Sequence, residues 1–162
     1  MRAFTLLLAL AALLGLTRPA TADIVPPVTS SETEARQVVL AFLENFNAGN
    51  AEGIASTYSD RPGFTWIEQG RVAYASKAEA VAGVTAALQT MKGTRMETAS
   101  EFKMVPVSDK SFLAVVPISI FMAGPDGKEM EVGKSLTTMT LVAEGDGWRI
   151  LAGHTASDPA PK

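Results

Sequence analysis

Between residues 32 and 46 the apolar positions Ala35, Val38, Val39, Phe42, Leu43 and Phe46 recur in steps of three and four, which places them on one face of a helix. Ser31 and Glu34 have capping-box spacing and predict its start, and Asn47-Ala48-Gly49-Asn50 predicts its end. Asn50 is placed to cap a second, short helix carrying Ile54 and Tyr58, which Asp60-Arg61-Pro62-Gly63 breaks. Residues 64–68 and 71–75 are short, rich in aromatic and β-branched side chains, and joined by Gln69-Gly70, the signature of a small hairpin. Alternation along its first strand puts Phe64, Trp66 and Glu68 on one face and Thr65 and Ile67 on the other. Ser76 and Glu79 repeat the capping spacing before a third helix, whose buried stripe is Ala80, Val81, Val84, Ala87, Leu88 and Met91, ended by Lys92-Gly93.

From Thr94 onward the pattern becomes extended. Four long segments are separated by Ser108-Asp109-Lys110, Gly124-Pro125-Asp126-Gly127 and Gly145-Asp146-Gly147, hairpin-type turns that predict an antiparallel sheet. The segment 112–122 is apolar at Phe112, Ala114, Val116, Ile118, Ile120 and Met122, and on its other face at Leu113, Val115 and Phe121. A sheet with helices on one side and a second subunit on the other accounts for such a strand, while Pro117 inside it favours an edge or a bulge. Lys134, Ser135, Thr137, Thr138 and Thr140 make one strand polar on both faces, either as a wet cavity wall or as β-formers facing solvent.

The first residues read differently. Arg2, an unbroken apolar run over residues 3–16, and Ala20-Thr21-Ala22 form a secretory signal with cleavage expected after Ala22. The run is shorter than the ~20 residues a spanning helix needs. Removing residues 1–22 leaves 140 residues with a formal charge of −5, because the segment carries Arg2 and Arg18 and no acid. Residues 23–31, with Pro26-Pro27, read as a flexible leader, residues 32–157 as one domain, and residues 158–162 as a disordered tail. The expected location is periplasmic or secreted, with no membrane attachment after cleavage.

Composition then narrows the chemistry. With no cysteine and one histidine, thiolate sites, cysteine nucleophiles and two-histidine metal centres are excluded, and neither a metal nor a cofactor is expected. The acidic balance and the lack of a Lys/Arg cluster argue against nucleic acid as a partner. No Gly-x-Ser-x-Gly elbow, phosphate loop, dinucleotide fingerprint or calcium loop occurs.

Three helices with a hairpin before the third, followed by antiparallel strands, resemble the NTF2-like (SnoaL-like) superfamily over roughly residues 32–157. The closing segment Gly147-Trp148-Arg149-Ile150-Leu151-Ala152-Gly153-His154-Thr155-Ala156-Ser157 resembles that of the DUF4440 branch at Trp148, Arg149, Ile150 and His154. Ala152 and Ala156 stand where that pattern has a histidine and a serine, and Ser157 follows one residue late. The resemblance implies an α+β, cystatin-like cone: three N-terminal helices packed on a curved antiparallel sheet, with a cavity at the wide end. It also implies a homodimer formed through the sheet.

Fold alone does not choose among the enzymes and non-catalytic modules of such a superfamily. The leading expectation is a domain that binds a small, largely apolar molecule in its cavity, through Tyr58, Trp66, Arg71, Tyr74 and His154. The alternative is a cofactor-free isomerase, cyclase or dehydratase with His154 and Glu68 as acid and base. A third is an interaction or oligomerisation module whose interior is filled by its own side chains. His154 shares strand parity with Trp148, Ile150 and Ala152, a mostly apolar set, which predicts partial burial. Arg71 is either an anion clamp or a solvated turn residue, and Trp66 either lines the cavity mouth or closes the core.

Overall fold

In the computed structural model, which describes residues 29–124 and 126–157, helix α1 (Ser30–Asn47) buries Ala35, Val39, Phe42, Leu43 and Phe46, the anticipated stripe. The signal read at 1–22, most of the leader and the 158–162 tail lie outside the described residues. The cap of α1 is Thr29, not Ser31: its hydroxyl accepts from the Glu32 N–H at 3.1 Å. Thr29 and Glu32 have the same spacing as Ser31 and Glu34, so two signals overlap and the earlier one starts the helix. Asn50 caps α2 (Ala51–Thr57) through the Gly53 N–H at 3.0 Å.

Strands β1 (Thr65–Glu68) and β2 (Arg71–Tyr74) form the hairpin, with Gln69 and Gly70 both at positive φ, 50° and 76°, as a two-residue primed turn requires. Helix α3 (Lys77–Thr90) is capped by Ser76, which accepts from the Glu79 N–H, while the Glu79 carboxylate accepts from the Ala75 N–H at 2.8 Å.

The extended half contains five strands: β3 (Thr94–Thr98), β4 (Lys103–Ser108), β5 (Ser111–Ala123), β6 (Glu129–Glu144) and β7 (Gly147–Ser157). The first of the four anticipated segments is thus two strands. β4 pairs with the first part of β5 and β3 with the second. Pro117 lies at the break between them, neither on an edge strand nor in a bulge. Its carbonyl accepts from the Ala99 N–H at 2.9 Å, so its donorless nitrogen faces the gap, where no ladder bond is lost. The sheet order is β2-β1-β7-β6-β5-β3, with β4 also on β5. It is mixed, which corrects the fully antiparallel expectation: β1 runs parallel to β7 because the helical half delivers the hairpin to the open edge of the last strand.

A bulge in β7 decides which side chains reach the interior. Ile150 faces Leu141 and Ala152 faces Thr140, leaving Leu151 without a partner. Before the bulge Trp148 and Ile150 point into the core; after it Gly153, Thr155 and Ser157 do. The parity connecting His154 with Trp148 is therefore broken, and His154 is exposed on the outer face, beside Ile67 and Thr138.

At the narrow end, Glu144 closes the link between α2 and β1. Its carboxylate accepts from the buried Ser59 hydroxyl and from the Asp60 N–H at 3.1 Å, and Arg61 lies 3.7 Å away. The Ser59 hydrogen bond, helped by the Asp60 N–H and Arg61, holds the Glu144 carboxyl below its ordinary value. A carboxylate depressed in the folded state stabilises fully above its unfolded pKa, about 4.3, and loses that contribution as pH falls through the lower folded value. Glu144→Gln is expected to lower stability by about 1–2 kcal/mol at neutral pH. Urea titrations of both proteins should show the difference shrinking as pH falls below the ordinary glutamate range.

Candidate functional site

The wide end of the curved sheet holds a cavity of about 250 Å³ between α1, α3, the hairpin and the inner face of β5, β6 and β7. Its apolar wall comes from Phe42 and Phe46 of α1, Val84 and Ala87 of the third helix with Met91 just past its end, Met96 of β3, and Ile118 and Ile120 of β5. These extend the core stripes to the point where the helices diverge from the sheet.

Tyr58 follows directly on α2 and is buried, with its ring centroid 6.1 Å from Phe42 and 6.0 Å from Trp66. Trp66 stacks on Phe42 at 5.8 Å. It serves both roles considered for it, packing in the core and lining the cavity. Trp66 can lie against β7 because the neighbouring residue there is Gly153. A β-carbon at that position would stand 2.4 Å from two of the indole carbons. Tyr74 opposes Trp66 across the hairpin and crosses the third helix at Gly83, where a β-carbon would lie 2.3 Å from the phenolic carbon and oxygen.

Gly83→Ala is expected to displace the Tyr74 phenol while changing stability by less than about 1 kcal/mol, since alanine restores helix propensity that glycine lacks. Chemical denaturation and the near-ultraviolet tyrosine signal together check both parts.

Polar groups converge on this apolar shell. Ser135 and Thr137 of β6 and Thr155 and Ser157 of β7 line one side, with Thr137 and Thr155 hydroxyls 3.3 Å apart. Glu68 and Gln69, both exposed, stand at the mouth. Burial, then the neighbouring Tyr74, then the Glu68 charge push the Tyr58 phenol far above its ordinary value. Burial and then Glu68 push Tyr74 upward too. Both phenols are thus neutral hydrogen-bond donors at any physiological pH. Among the described residues neither hydroxyl nor the Glu68 carboxylate has a protein hydrogen-bond partner, and no fully buried polar side-chain atom is left unpaired, so these groups open onto the cavity.

The structure brings together Tyr58, Trp66, Glu68 and Tyr74 and leaves out two anticipated residues. Arg71, opposite Glu68 across the turn, is exposed and does not line the cavity. His154 lies on the outer face, turned there by the Leu151 bulge, and cannot act as the acid or base beside Glu68. The two alternatives left open for the polar strand both hold, one for each face: Ser135 and Thr137, which share parity with the core residues Met139 and Leu141, line the cavity, while Lys134, Thr138 and Thr140 do not. Thr155 and Ser157 were concealed by the bulge. Among the described residues no cluster of His, Cys, Asp or Glu could hold a metal ion, and no helix is long and apolar enough to cross a membrane.

No protein-family model and no curated protein matches the chain. Solved structures do. A protein with a cystatin-like fold from Caulobacter vibrioides is 22% identical, with 81% of this chain and 92% of that one covered and a TM-score of 0.67. A domain with a cystatin-like fold from Nostoc punctiforme is 22% identical over 83% and 81% of the two chains, with a TM-score of 0.68. An NTF2-like protein with a cystatin-like fold from Novosphingobium aromaticivorans is 15% identical over 78% and 81%, also at 0.68. Identities this low speak for architecture and not for activity. With three helices on a mixed, curved seven-stranded sheet, the chain has the NTF2-like, cystatin-like fold.

Proposed function

We propose that this chain is an exported domain that binds a small, largely apolar molecule in the cavity at the wide end of its cone. The observation that carries the reading is an open, mostly apolar space of about 250 Å³, just under the ~300 Å³ at which small-ligand sites begin, onto which two unpaired phenols, one carboxylate and a row of hydroxyls converge. The open cavity favours this reading over an interaction module whose interior is filled by its own side chains. Native mass spectrometry of protein purified from its own compartment is expected to show a retained small molecule. A bare chain whose Trp66 fluorescence also ignores a panel of apolar compounds overturns the reading.

A second reading is favoured by the two neutral phenols beside Glu68. Glu68 would act as base on a carbon acid, and Tyr58 or Tyr74 would donate to the developing oxyanion. This keeps the isomerase or dehydratase alternative without His154. Deuterium exchange into small cyclic ketones, followed by NMR, tests it: exchange lost in Glu68→Gln supports it, and no exchange above buffer removes it.

Export rests on residues 1–22, and N-terminal sequencing of the secreted or periplasmic form should begin at Asp23. We also propose a homodimer in which a second copy covers the outer sheet face. Support comes from Leu136, 48% exposed, and from Leu113, Val115 and Phe121, which are only half-buried in the single chain. Light scattering should give twice the chain mass, and particles of one chain mass at micromolar concentration overturn the dimer.

A further inference from the structure

The charge of the cavity narrows the ligand class, given the binding role proposed above. Of its eighteen lining residues, Glu68 is the one carboxylate; none is lysine, arginine or histidine. Lys77, the ammonium nearest to Tyr58, is turned away, with its Nζ donating to the Tyr58 carbonyl at 3.1 Å and to Asp60 at 2.8 Å. Arg71 makes no ion pair with Glu68 among the described residues. An anionic ligand would meet a carboxylate and no counter-charge. A neutral ligand would leave that carboxylate unused.

The aromatic wall has the same preference. The Phe42, Tyr58 and Trp66 centroids lie 5.8 to 6.1 Å from one another, and Tyr74 faces Trp66 across the hairpin. Aromatic faces carry the negative side of the ring quadrupole and attract organic cations, most strongly where water is excluded. The apolar remainder of the wall suits alkyl substituents.

We propose that the cavity selects an alkylammonium cation, with its charged nitrogen held between the aromatic cluster of Tyr58, Trp66 and Tyr74 and the Glu68 carboxylate at the mouth. The alkyl portion lies against Val84, Met91 and Ile118. The rest of this wall stays apolar and the Ser/Thr hydroxyls serve any polar substituent. Because Glu68 is exposed, its share of the attraction is screened by salt, while the share of the rings is not.

The test uses the intact mature protein and three probes of similar size: choline, its uncharged carbon isostere dimethylbutanol, and hexanoate. NMR titration at low salt is expected to show choline binding at least about ten-fold tighter than dimethylbutanol, with hexanoate weakest. Glu68→Gln, a change at an exposed residue with no protein partner, should lower choline affinity about three- to five-fold and leave dimethylbutanol unchanged. Dimethylbutanol or hexanoate binding as tightly as choline overturns the cation assignment and leaves the binding role standing. Failure of all three probes, together with native mass spectrometry showing a bare chain, overturns both.

Discussion

Gly153→Ala is expected to lower stability by about 2–3 kcal/mol and to abolish ligand binding, although it adds only a methyl group. The new β-carbon would meet Cε3 and Cζ3 of Trp66 at 2.4 Å, and neither side has room to yield. Trp66 is held by its stack on Phe42 and by Tyr58, and the glycine backbone is fixed in two ladders, to β1 and to β6. Relief requires either opening the β1–β7 pairing or rotating the indole into the cavity. A urea midpoint unchanged from the wild type, with binding intact, would contradict this account of how the hairpin is seated.

Ile150→Ala is expected to have the larger effect on stability, about 3–4 kcal/mol, and little on binding per folded molecule. Ile150 has no exposed surface and does not line the cavity; its carbonyl accepts from the Ser59 N–H at 2.9 Å, which the substitution leaves alone. The loss is thus one of packing: several buried carbons removed from a place the surrounding strands cannot refill. Equilibrium denaturation should show a lower midpoint with an unchanged slope, and ligand titration of the folded fraction should give the wild-type affinity. The contrast between the two variants separates the closed end of the cone, which carries stability, from the open end, which carries the site.

Residues whose surroundings are local were legible from sequence. The α1 stripe, the Asn50 and Ser76 caps and the Gln69-Gly70 turn each depend on neighbours within four positions, and all formed as read. Tyr58, Trp66, Glu68 and Tyr74 were identified as candidates because aromatic and acidic residues clustered on and just before one hairpin. The readings that failed depended on distant pairing. The Leu151 bulge lies where β7 passes from its bridge with Tyr58 to its ladder with β1, a change of partner that nothing within residues 147–157 encodes. The bulge moved His154 outward and Thr155 inward. Pro117 favours an edge or a bulge by its own chemistry, but two separate strands meet beside it and leave its nitrogen opposite a gap, which the local sequence does not show. Thr29 and Ser31 stand at the same spacing from a glutamate, so the local pattern does not distinguish the true cap from its neighbour.

One property of the third helix bears on how the protein would respond to the proposed guest. Along Lys77–Thr90 only Ala80 of the anticipated stripe is fully buried; Val81, Val84 and Leu88, with Met91 just past its end, are partly buried against the core, and Val84, Ala87 and Met91 also line the cavity. On the binding role proposed above, a guest would complete the apolar contacts of this helix. An occupant present at about a hundred times its dissociation constant adds about 2.7 kcal/mol to the folding free energy by mass action alone. Amide exchange along the helix should slow more than elsewhere on loading, so that a thermal-shift screen of the empty domain reads occupancy directly as folding.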